Sequence, residues 1–412
     1  MNNRKVKRFV YAFAVPLLAA GLTTHANALD LIQEISPEKS STQESNFYSL
    51  SLEQFQIPNA KSLLTAVSGD RIFIGDRPSR TLYEAKFSGD QLILEGSVTI
   101  PNPTVQGHPS NALLDLLATK TSLFVALIDG AKDFPVCGSA KIYEYLLSDL
   151  TKKPKLIFKS TPCVQGELFW DARLAVNSDT LFTAGGNSLV KYDDGTFPGP
   201  DSMNFVEGMK FPKTNYFGAV SAINLQNKKV TVMATGLRHL GGLFWDQERK
   251  VLWESENGPR GGDELNIIKA SKNYGWPQVT LGRPYDFEVA SSSGLKTNSV
   301  GKSEAPVYGW TPSISPSSIR KIPRSGEFSQ YWSSDLIVGS LKGNELRRLR
   351  ITKDNHVMYD EPIPIGDRIR ALDVLKDGRL ILATDTGRII LVSNAKNSLT
   401  GRYPKDPPPP SQ

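Results

Sequence analysis

The feature that most constrains the fold is a pattern that recurs along most of the chain. A polar turn leads into a short apolar strand, and after a gap a second strand follows. The pattern appears at 68–75 with 81–86, at 119–126 with 140–146, at 177–184 with 188–192, at 246–254 with 263–268, at 334–339 with 344–351, and at 376–383 with 387–392. These runs are rich in Val, Ile, Leu, Phe and Tyr and are bounded by Gly, Asp, Asn and Pro, which is a strand-and-turn signature. Long amphipathic helical patterns are scarce. Each unit is a small antiparallel sheet that cannot bury both faces alone, and radial stacking solves that while leaving only short edges. The repeat therefore predicts an all-β chain folded as a six-bladed β-propeller, with a two-domain β-sandwich as the alternative. The spacing is irregular, roughly 40–90 residues against roughly 40–50 for WD-type or kelch-type repeats. The long gaps at 193–216 and 278–316 read as loop insertions.

The ends of the chain read differently. Arg4, Lys5, Lys7 and Arg8 precede an apolar run broken by Pro16, and Ala26-Asn27-Ala28 has the form of a cleavage site. Residues 1–28 thus read as a signal peptide, too short and too soon polar for a membrane span. The expectation is an exported, periplasmic or secreted protein with no membrane span in the mature chain. Residues 29–60 are polar and read as an extended lead-in, 61–395 as the propeller domain, and 396–412, with four consecutive prolines, as a disordered Pro-rich tail. The leader's four cations account for four of the six net positive charges, leaving +2 on the remainder. That balance, with no basic run interleaved with aromatics, argues against a nucleic-acid partner. Cys137 and Cys163 are the only cysteines. In an oxidising compartment the default is one disulfide between them, with two buried thiols as the alternative.

One stretch carries the chemistry, 256–277, which reads Glu-Asn-Gly-Pro-Arg-Gly-Gly-Asp-Glu-Leu-Asn-Ile-Ile-Lys-Ala-Ser-Lys-Asn-Tyr-Gly-Trp-Pro. Gly258-Pro259 and Gly261-Gly262 force the backbone to fold back with carbonyls exposed. Carbonyl oxygens beside Asp263 and Glu264 suit a hard cation such as Ca²⁺. An ordinary acidic surface turn is the alternative for the turn alone. The whole stretch resembles the signature of the soluble glucose/sorbosone dehydrogenases, six-bladed propellers that use pyrroloquinoline quinone (PQQ) and calcium.

That resemblance implies a calcium held by the carbonyls of Gly258 and Pro259, and a second calcium at Glu264 and Tyr274. It implies a cofactor-binding lysine at Lys342, in Ser340-Leu341-Lys342-Gly343. The run from Trp310 to Ser317 also resembles the family and offers Ser317 as a polar cofactor contact. Strand alternation puts Arg368 and Arg370 on one face, and two guanidiniums facing one way suit a ligand with several carboxylates. PQQ carries three carboxylates, which Lys342, Arg368 and Arg370 match in number and charge.

Elsewhere the sequence departs from the family. Phe169 stands where the family's catalytic histidine precedes the arginine, here Arg173, and phenylalanine cannot accept a proton. The family's Arg-Asn-Pro-Gln-Gly-Leu run reads Arg238-His239-Leu240-Gly241-Gly242-Leu243, and a second glutamine is missing near His108. His239 is therefore the candidate relocated base, with Asp171 as the second candidate. The resemblance implies an exported PQQ- and calcium-dependent aldose dehydrogenase with a sugar substrate and a quinone or small redox protein as electron acceptor. A catalytically inactive propeller that binds carbohydrate or protein is the alternative, and a calcium-dependent hydrolase such as a lactonase is the third reading.

Overall fold

A computed structural model describes residues 33–100, 112–130, 138–161, 164–165, 172–186, 191–192, 214–276, 279–282 and 303–395. Six small sheets succeed one another, each starting from an innermost strand. The innermost strands are Leu63–Ser68, Leu113–Ala118, Ala172–Asn177, Leu240–Asp246, Pro316–Lys321 and Ile369–Val374. Each packs against the next, and Ile369–Val374 packs back on Leu63–Ser68, so the sheets close into a ring of six blades. The all-β propeller expected from the repeat is the fold. The sole helix among the described residues is one turn, Ser329–Trp332.

The blades follow from alternation. In blade 5, Leu336–Ser340 is buried along its whole length because neighbouring blades cover both faces. The next strand, Glu345–Ile351, alternates buried Leu346 and Arg348 with partly exposed Arg347. Apolar side chains between adjacent blades form the core, as where Leu63, Phe73 and Leu82 of blade 1 meet Leu113 and Leu127 of blade 2 and Ile381 and Ile389 of blade 6.

Two assignments differ from the sequence reading. The segment 29–60 is more than a lead-in, because Ser49–Gln56 pairs antiparallel with Arg388–Asn394 and Lys39–Glu44 pairs outside it. Blade 6 is thus built from both ends of the domain, and Gln33–Ile35 adds an outer strand to blade 1. In the third repeat, the described part of 188–192 does not follow Thr180–Gly185 in its sheet. Lys191–Tyr192 pairs with Val164–Gln165 in blade 2, and the partner of Thr180–Gly185 is Ala219–Asn224, beyond the insertion. Tyr308–Trp310, inside the second long gap, is the fourth strand of blade 4.

The axis is plugged by charge. Arg320 Nε donates to Asp373 at 2.7 Å, Thr65 Oγ1 donates to the other Asp373 oxygen at 3.0 Å, and Arg173 faces Asp115 at 3.7 Å. Burial pushes both aspartates up against the pull of these arginines. At one end of this plug lies a cavity of about 200 Å³ lined from all six innermost strands.

Phe55 is fully buried in the ring-closing strand and meets Phe87 of blade 1 edge-on at 5.6 Å. Phe55→Ala should destabilise the protein by about 3–5 kcal/mol through lost burial and the cavity left behind. A denaturant midpoint unchanged from the parent would show that the closure does not depend on this packing.

Candidate active site

The second cavity, about 900 Å³, opens at the end where the innermost strands of blades 4, 5 and 6 begin. It is lined by Arg238 and His239, the turn Asn257 to Gly261, the loop Thr311 to Ser315, and Lys342 and Arg368. Among the described residues that line it are four cations and no carboxylate.

The turn is rigid for a local reason. A Cβ at Gly258 would lie 2.3 Å from the Gly262 carbonyl oxygen, so only glycine permits this fold-back. Asp263, fully buried, holds the turn from beneath. One of its oxygens accepts from Gly258 N (3.0 Å), and the other from Ile314 N (2.8 Å), Ser315 N (2.7 Å) and Ser313 Oγ (2.8 Å). Burial raises the Asp263 carboxyl, and these donors oppose the rise. Asn257 adds a second tie, donating to Pro316 O at 3.1 Å and accepting from Ser315 Oγ at 2.5 Å.

Arg238 donates through Nη1 to the carbonyls of Asn257 (2.8 Å) and Gly258 (3.1 Å), and its guanidinium lies 5.1 Å from the Trp276 ring centre. His239 is half-buried at the cavity wall, and its carbonyl accepts from Asn257 N at 2.8 Å. The missing glutamine two residues on has a steric counterpart. A Cβ at Gly241 would meet the Pro316 carbonyl oxygen at 1.9 Å, so this backbone admits no side chain there.

The three cations singled out from sequence separate. Lys342 is exposed at the cavity, its amide donating to Ile314 O at 3.0 Å. Arg368 lines the cavity and donates to Leu341 O and to Asp385, both at 3.3 Å. Arg370 grips the same Asp385 through two bonds of 2.8 and 2.6 Å and is not among the lining residues. Both arginines reach the same carboxylate, and the pairing register shifts between Ile369 and Ala371, placing Arg370 at a bulge. Burial alone would raise Asp385, but Arg370, with Ser62 and Arg77, brings it down to about 2.

Ser317 is fully buried, and its hydroxyl donates to Ile369 O at 2.6 Å, fastening blade 5 to blade 6 rather than facing the cavity. Glu264 points to the opposite face of its strand from Asp263, with Glu254, Glu256 and Asn266. Burial raises all three glutamates, Glu254 and Glu256 strongly, and Glu264 shares a hydrogen bond with Glu256. Tyr274 packs in the core between blades 3 and 4, its hydroxyl donating to Ile267 O at 2.5 Å and accepting from Lys269 N at 2.9 Å. Among the described residues no three His, Cys, Asp or Glu side chains converge as a metal-binding group. Phe169, Asp171, Cys137, Cys163, His108, the leader and the tail lie outside the described residues. Sequence reasoning missed Arg238, Arg260 and Asn257 as lining residues, although Arg238 opens a quoted motif and Arg260 and Asn257 sit inside another.

Together these elements make a six-bladed propeller with a cation-lined cavity at one mouth. The chain belongs to the glucose/sorbosone dehydrogenase family, whose sequence model matches residues 139–392. It is 32% identical over 240 residues to an uncharacterized protein of Synechocystis, covering 56% of this chain and 57% of that relative's length. It is 27% identical over 315 residues to an aldose sugar dehydrogenase of Escherichia coli, covering 71% and 79%. Among solved structures, the PQQ-bound form of an aldose sugar dehydrogenase from Streptomyces coelicolor superposes with a TM-score of 0.57 at 16% identity, covering 89% of this chain and 98% of that one. That last likeness is one of fold. No helix among the described residues is long and apolar enough to cross a membrane.

Asp385 gives the site a pH signature. Its folded value, about 2, lies below the ordinary 3.8. A depressed carboxyl adds stability that is complete above its unfolded pKa and is lost as pH falls through its folded value. Acid unfolding between pH ~4 and ~2 should therefore be shallower in Asp385→Asn than in the parent. Identical pH profiles would count against this pairing. Asp263→Asn should cost about 2–4 kcal/mol, because an amide NH₂ cannot accept from three converging donors. Retention of the parent's thermal midpoint in that variant would contradict the role given to Asp263.

Proposed function

We propose that this chain is an exported PQQ- and calcium-dependent aldose dehydrogenase, and that His239 is its general base. The observation that carries the reading is the cavity itself, where Arg238, Arg260, Lys342 and Arg368 gather around the Gly258-Pro259 turn with no acid among the described lining residues. Gathered cations repel one another, so such a wall fits a ligand that brings several negative charges. A tricarboxylate has that chemistry, and the PQQ in the structural relative's description agrees with it.

The donor set also suits calcium in part. Gly258 and Pro259 offer carbonyl oxygens, the hard ligands such a cation takes. The described lining supplies no carboxylate, so this chain would hold the cation through neutral oxygens. When bound, the quinone with its calcium supplies a two-electron acceptor for a sugar hydroxyl. Everything else falls to this chain's side chains. Lys342 and Arg368 bind and orient the carboxylates, and Arg238 fixes the turn while presenting charge to the cavity. The His239 ring nitrogen would take the proton from the substrate hydroxyl. Aldose and electron acceptor are otherwise unspecified, because much of 193–216 and 278–305 lies outside the described residues.

Phe169 in the family's histidine position favours a second reading, a propeller that binds its ligand without turnover. Titration with PQQ and Ca²⁺, followed by glucose and a panel of aldoses, separates the two. Quinone uptake and bleaching by an aldose are expected, and uptake without bleaching by any sugar would leave a binding module. In His239→Ala, sugar oxidation should fall by about 10²–10⁴-fold with uptake retained, and unchanged turnover would remove His239 from the mechanism. Lys342→Ala should instead weaken quinone uptake.

A further inference from the structure

The outer edge of blade 6 carries an aromatic platform that the axial cavity does not use. The hairpin joining Lys39–Glu44 to Ser49–Gln56 places Phe47 at its tip with φ of 81°, a left-handed conformation that a bulky residue rarely adopts. That conformation leaves the ring 40% exposed, stacked on Tyr331 at 5.0 Å and 14° between planes. Tyr331 is also 40% exposed and Tyr359 is 43% exposed. Tyr359 is tied to the hairpin through Asn46 and lies beneath the buried guanidinium of Arg348. Behind the exposed rings, Tyr48, Phe328 and Trp332 form an edge-on and stacked foundation. Backbone strain that keeps an aromatic ring in water argues for something to cover it.

The covering segment is next to it. Ala395 N donates to Ser49 O at 2.7 Å, two residues from Phe47, and Asn394 N donates to Glu327 beside the short helical turn. The chain therefore leaves blade 6 at the border of the platform. Residues 396–412 follow, with Tyr403-Pro404 and the run Pro407-Pro408-Pro409-Pro410. Consecutive prolines favour the polyproline II helix, whose rings seat between exposed aromatic side chains at little entropic cost. Eleven residues separate Ala395 from Pro407, a reach of up to about 40 Å when extended, so length does not restrict return to a platform that begins alongside. The tail carries Lys396, Arg402 and Lys405 against Asp406, and Glu44 and Glu327 flank its exit.

We propose that the platform of Phe47, Tyr331 and Tyr359 binds the chain's own Pro-rich tail in cis. The tail then lies over the hairpin that supplies the two outer strands of blade 6, and so latches the ring closure from outside.

The test uses the full chain and trypsin cleavage after Arg402. Phe47→Gly removes the ring while suiting the positive φ, so the fold is retained as the tail is released. Replacing Pro407 to Pro410 with glycine changes only the tail. Both variants should speed cleavage about tenfold, and a synthetic peptide of residues 400–412 should speed it in the parent by competition. Equal rates in parent and both variants would overturn the proposal. Faster cleavage in Phe47→Gly without any change in the proline variant would assign the platform to another occupant. Protection lost on dilution would assign it to the tail of a second copy, and either result would overturn docking in cis.

Discussion

The Asp263 carboxylate is the interaction on which the site rests. A buried charge is tolerated only when hydrogen bonds replace its lost water, and here four donors from two segments do so. Meeting that need fixes where the segments go. Gly258 N must turn inward, which draws the Gly258-Pro259 turn against the cavity. Ile314 N and Ser315 N must point down, which leaves their carbonyls for the next blade. Those carbonyls accept from the amides of Lys342 and Leu341, and the Leu341 carbonyl accepts from Arg368. The relay runs from blade 4 to blade 6, and each step uses backbone groups that would otherwise be orphaned.

The relay brings positive charges together, and the structure deals with the repulsion unevenly. Arg370 is neutralised by a bidentate grip on Asp385, while Arg368 shares that carboxylate only through a longer, more exposed contact. Arg238 spends two donors on carbonyls of the turn. Lys342, Arg260 and Arg368 line the same wall beside Arg238.

Much of the fold was legible because five of the six repeats keep their second and third strands close in sequence. The third failed for a topological reason. The partner of Thr180–Gly185 is Ala219–Asn224, far along the chain, whereas a local pattern picks the nearer strand-like run. The ring closure was illegible for a chemical reason, since Lys39–Glu44 reads Lys-Ser-Ser-Thr-Gln-Glu and buries no face that alternation could reveal. At the site, Gly258, Pro259, Lys342 and Arg368, which the motifs single out, line one cavity. For Arg370 the sequence announces neither the bulge at its position nor the Asp385 carboxylate that takes its charge. Ser317 was misread because a serine in a polar run gives no hint that an adjacent blade's carbonyl will claim its hydroxyl.

The acidic pair Asp263-Glu264 shows how one strand serves two purposes. Successive side chains of a strand face opposite ways, so Asp263 goes to the loop beside the cavity and Glu264 to the other face. There it meets Glu256 directly across the ladder, with Glu254 across from Asn266. One Glu254 oxygen and the Asn266 side-chain oxygen have no hydrogen-bond partner. Burial first, and then the like charges beside them, push Glu254 and Glu256 strongly up. On the Asp263 face, converging N–H and O–H groups stabilise the charged form against burial. On the Glu264 face, acceptors crowd one another and the protonated form is favoured. Two adjacent carboxyls thus have different electrostatics because the pleat sends them into rooms furnished by different blades.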